Sequence, residues 1–121
     1  MNIEGSGGIH PDIDIDAISR ELHVRPEVLK RIIAGFSKTL SEKIVQLEGA
    51  LAKSDTVKMR ALLHEIRGTS GNLRLAKIYS SAMDLHEAVK ANAENEKLQQ
   101  FFSVLKSRSA VLDEYAKKGE I

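Results

Sequence analysis

The chain has 121 residues, 42% apolar and 29% charged, which suits one globular domain with a modest core and does not indicate disorder. Lys and Arg outnumber Asp and Glu by only 18 to 17, so no global field recruits nucleic acid or an anionic membrane. Cysteine is absent, which excludes disulfides, thiolate catalysis and a Cys-ligated zinc, and the short apolar runs provide neither a membrane span nor a secretory leader, so a cytoplasmic protein is the expectation.

Residues 1–12 read as a flexible tether, with Gly5, Ser6, Gly7 and Gly8 ahead of His10 and Pro11, either an expression remnant or a natural linker. A single helical domain is expected over 13–119. Asp14 can cap a short first helix that carries Ile15, Ile18 and Leu22 and ends near His23. Pro26 suits the first turn of a second helix, and Glu27 lies near its positive end. From there Leu29, Ile32, Ile33, Phe36, Leu40, Ile44, Leu47 and Leu51 step by three and four over roughly six turns, the strongest periodicity in the chain. Gly35 falls inside this helix, where close helix packing is the expected reason for it.

Ser54 and Asp55 supply a break and a cap. A third helix starts near Thr56 and buries Met59, Leu62, Leu63, Ile66 and Leu73, with Ser70 on the same stripe. A turn over Asn72 to Arg74 leads to a fourth helix with Leu75, Ile78, Tyr79, Ala82, Leu85 and Val89. Asn92 to Asn95 break it. The last helix holds Leu98, Phe101, Phe102, Leu105, Leu112 and Tyr115 and ends in Lys117, Lys118 and a Gly119 stop. With no strand-like alternation, the pattern predicts an all-α fold, an antiparallel four-helix bundle with a short additional N-terminal helix. Tyr79, Tyr115 and the Phe pair are then core residues.

Familiar catalytic motifs are incomplete. His64-Glu65 lacks the second zincin histidine, since Gly68 stands four residues on. The di-iron Glu-x-x-His pairs are missing, because Ala61 precedes His64 by three and Met83 precedes His86 by three. Gly68-Thr69-Ser70 begins like a nucleophile elbow, but Asn72 replaces its closing glycine. No phosphate-cradling glycine loop occurs, so the chain is not expected to bind ATP by itself.

His64, Gly68 and Gly71 share one helix face at i, i+4 and i+7. Each helix glycine costs about 1 kcal/mol relative to alanine, so two beside an imidazole suggest clearance for something approaching the backbone. Free histidine has a pKa near about 6.5, and its neutral ring can attack phosphorus unaided by a base. Arg60 and Arg67, four before and three after His64, can flank the same site and pair with phosphoryl oxygens or acidic groups of a docking partner. Lys58, Arg74 and Lys77 extend this basic patch. Glu65 reads as a solvated charge, and His10, His23 and His86 as ordinary histidines.

The segment Leu63-His64-Glu65-Ile66-Arg67-Gly68-Thr69-Ser70-Gly71-Asn72-Leu73 resembles the signature of histidine-containing phosphotransfer (HPt) domains, His-x-x-Lys/Arg-Gly followed by small residues and an Asn-Leu-like helix end. The likeness extends to the helical order from about Asp14 to Lys118. It implies that His64 is phosphorylated on the ring nitrogen farther from the backbone, that Arg67 takes the basic position, and that Gly68 leaves clearance for a response-regulator receiver domain. Implied too are a phosphorelay role between receiver aspartates, no kinase activity, a hybrid sensor histidine kinase as a further partner, Mg on the receiver only, and a monomer that binds no nucleic acid. Arg67 replaces the commoner lysine, Arg74 stands where a glycine often makes the turn, so that Asn72 is expected to be left-handed in its place, and His86 stands where Glu is frequent. A free-standing relay protein and a piece of a hybrid kinase both fit. Two other readings stay open: a helical module that docks a receiver or kinase without taking phosphate, and a metal-binding bundle using His64, His86 and neighbouring carboxylates.

Overall fold

The computed structural model describes residues 13–118; the expected tether over 1–12 and the Gly119 stop lie outside them. Five helices follow in order: α1 (Ile15–Leu22), α2 (Pro26–Ala52), α3 (Thr56–Asn72), α4 (Ala76–Lys90) and α5 (Asn95–Lys117), with no strand among the described residues. Their starts lie where the local chemistry puts them. Asp14 accepts from the Ala17 amide at 3.0 Å, Asp55 accepts from the Lys58 amide at 3.1 Å, and Pro26 opens α2, where its missing N–H is not needed.

The helix ends share one device. His23, Ser54, Arg74 and Asn92 are all left-handed, with φ of 59°, 54°, 60° and 56°. The amide after each reaches back to the carbonyl five residues earlier: Val24 to Ser19, Asp55 to Ala50, Leu75 to Ser70 and Ala93 to Ala88, at 2.9–3.1 Å. These are Schellman closures built on non-glycine residues. They overturn the expectation at the third turn: Asn72 stays helical and Arg74 itself turns left-handed. Its guanidinium donates to the Gly71 and Asn72 carbonyls and pairs with Glu21 of α1 at 3.1 Å, so Arg74 closes a turn rather than extending the basic patch.

Each long helix packs on two others, in the cycle α2–α3–α4–α5–α2, while α1 lies on α2. One core fills the ring, with Leu29, Ile33, Leu40 and Leu47 from α2, Met59, Leu63 and Ile66 from α3, Leu85 from α4 and Leu105 and Leu112 from α5 all fully buried. At roughly 1.5–3 kcal/mol per buried large side chain, this stripe outweighs local helix propensity as the source of stability. Two residues of the apolar pattern depart from it. Ile32 is 44% exposed and Tyr79 36%, since each lies at the edge of its helix's buried face. Gly35 is corrected as well: a Cβ there would meet nothing within 4 Å, so close packing does not explain it.

Candidate functional site

Midway along α3 the apolar residues Leu62, Leu63 and Ile66 anchor the helix, and the next position round, His64, is exposed. The imidazole is therefore held by a rigid element yet open to an incoming group. It borders two depressions. One, of about 620 Å³, is lined by Val57, Arg60, Ala61 and Glu65 on its own helix and by His86 and Lys90 on α4. The other, of about 230 Å³, is lined by Arg67, Gly68, Gly71, Asn72 and Tyr79.

The two glycines of the stripe differ. A Cβ on Gly68 would meet nothing within 4 Å, so this stretch of backbone is bare to the outside. A Cβ on Gly71 would lie 3.2 Å from Tyr79 Cδ1 and 3.3 Å from its Cε1. The clearance expected at Gly71 is thus taken up by a ring from α4, and Tyr79, read from sequence as core, forms a wall of the depression instead.

Arg67 is half-buried, not splayed on the surface. Its Nη1 lies 3.0 Å from His86 Nδ1. Arginine only donates, so Nδ1 accepts, and the neutral ring carries its proton on Nε2. His86 is buried, 8% exposed. That burial, followed by the charges of Arg67, Lys90 and Arg60 and by His64, holds its pKa below the ordinary 6.5. Arg67 Nε is buried with no partner among the described residues, a desolvation cost of about 1–3 kcal/mol. Arg60 is exposed on the other flank of His64. Below the site, Ser70 is fully buried and its Oγ donates to the Ile66 carbonyl at 2.6 Å.

Glu65 is not simply solvated. Its carboxylate takes a 2.8 Å hydrogen bond from Lys43 of α2, and that bond and charge lower its pKa below the ordinary carboxylate value. Sequence alone could not pair residues 22 apart; the sole hint was that both fall beside apolar stripes. Among the described residues no three His, Asp or Glu side chains gather so as to hold a metal ion, and His64 and His86 find no third ligand.

The site is thus an exposed imidazole on a helix with a bare glycine one turn on, set among cations in an all-helical ring. The chain belongs to the Hpt domain family: the family model matches residues 31–115, from the first turns of α2 almost to the end of α5. No curated protein and no solved structure matches the chain. Membership implies phosphotransfer in two-component systems, as a phosphocarrier and not a kinase, with receiver domains and histidine kinases as the family's partners. No described helix is long and apolar enough to cross a membrane.

Proposed function

We propose that the chain carries a phosphoryl group on His64 between receiver-domain aspartates of a phosphorelay. The observation that carries this reading is the exposed His64 ring one helical turn from Gly68, whose Cβ position is open space. In this reading the Nε2 lone pair attacks the phosphorus of a receiver's aspartyl phosphate. The P–O bond to the aspartate breaks, the carboxylate leaves with the electron pair, and the ring keeps its proton on Nδ1. A second receiver aspartate reverses the step. Arg67 and Arg60 balance charge on the phosphoryl oxygens, and catalysis is positioning and charge neutralisation, with Mg supplied by the receiver.

The helices form an antiparallel four-helix bundle with α1 as an addition. Three or four residues between successive helices leave room only for reversal, and the cyclic packing closes the ring. The protein acts as a cytoplasmic monomer with no cofactor of its own.

Incubation with a phosphorylated receiver is the test. The wild type is expected to take up acid-labile, base-stable label, and His64→Gln to take up none. Binding without label in the wild type would overturn carriage in favour of a docking role.

A further inference from the structure

Arg67 is not placed like an arginine that only needs solvent. A solvated arginine lays its stem along the helix and keeps its donors in water. Here Nη1 reaches across to α4 and donates to His86 Nδ1, while Nε is buried without a partner. The residue still lines the depression that His64 and Gly68 share, and His86 lines the one on the other side of His64. A guanidinium that forfeits a donor to stay in this place is being held there, and the acceptor that holds it is one ring nitrogen.

Resting on the reading of His64 as phosphoryl acceptor, we infer that His86 is a positioning residue for transfer: by accepting from Arg67 it fixes the guanidinium beside His64 before the phosphoryl group arrives. The neutral ring is suited to this. Protonation would turn Nδ1 into a donor facing another donor, and the hold would be lost. The groups that bear on His86 are Arg67, Arg60 and His64 from α3 and Lys90 from its own helix, with no carboxylate among them. The two arginines and the lysine oppose a second proton on the ring.

The test compares transfer from a phosphorylated receiver to the wild type, His86→Leu and His86→Asn. Leucine fills the space without an acceptor. Asparagine restores an acceptor near the position of Nδ1 and does not titrate. His86→Leu is expected to accept phosphate at least about tenfold more slowly, since an ångström of misplacement can cost on the order of a hundredfold. His86→Asn is expected to recover most of that loss and to show a shallower fall in rate on the acid side than the wild type. Circular dichroism and thermal melts separate folding from function, and the ¹⁵N shift of His86 Nδ1 reports whether it accepts. A His86→Leu protein that transfers like the wild type, or a His86→Asn protein no faster than His86→Leu, would overturn the inference while leaving His64 as acceptor. A wild type that takes no label would instead overturn the reading of His64, and this inference with it.

Discussion

At Gly68 the helix forgoes about 1 kcal/mol of propensity and nothing in the free protein requires it, because a side chain there would stand in open space. Gly68→Ala is therefore expected to raise unfolding free energy by up to about 1 kcal/mol in a denaturant titration. Gly68→Gln should fold normally yet impair transfer, because the side chain blocks the receiver. Normal transfer by that variant would remove the clearance argument. Gly71→Ala should gain less stability, since its Cβ would press on the Tyr79 ring. The sequence made both glycines visible as one stripe, but spacing on α3 says nothing about which ring of α4 lies over them. The same holds for Glu65 and Arg67. Their partners, Lys43 and His86, sit on other helices, and no local pattern encodes that pairing.

Helix ends show a sharper division between what is local and what is not. The starts at Asp14, Pro26 and Asp55 were legible because a capping side chain or a ring acts within three residues. The left-handed closures were less so, since none uses glycine. Placing an L-residue there costs about 1–2 kcal/mol, part of which a glycine returns as unfolded-state entropy. Ser54→Gly should thus stabilise the protein by less than about 1 kcal/mol, seen as a higher melting midpoint. Arg74→Gly should give no such gain. It would relieve the same backbone strain but lose the bonds to Glu21, Gly71 and Asn72. Arg74 was read from sequence as part of a charged patch because its acidic partner, Glu21, lies 53 residues away.

For the whole molecule, pH acts through His86. Its folded pKa lies below the unfolded value of 6.5, so above that value both states are neutral and no stability is at stake. As pH falls below 6.5 the unfolded chain takes a proton that the folded ring refuses, and stability declines until the folded pKa is reached. Thermal melts should show a lower midpoint at pH 5.5 than at 7.5, with a smaller difference in His86→Leu. Glu65 acts further down: its lowered pKa lends a small stability above about 4.5 that is lost as pH falls through the folded value. The all-helical class and most of the core were legible because period-3.6 stripes mark burial wherever a helix faces the ring. Ile32 and Tyr79, at the margins of those stripes, were not.

The cyclic packing also bears on how the chain finds its shape. Three of the four contacts that close the ring join helices adjacent in sequence, and only α2 against α5 brings distant segments together. Topology of this kind favours assembly in microseconds to milliseconds. The docking of α5 onto α2 is the step with the longest loop to close, so a growing chain that has reached only Lys90 would display an open, sticky trough along α2 and α4, which chaperones or a second copy would meet before its own last helix was made.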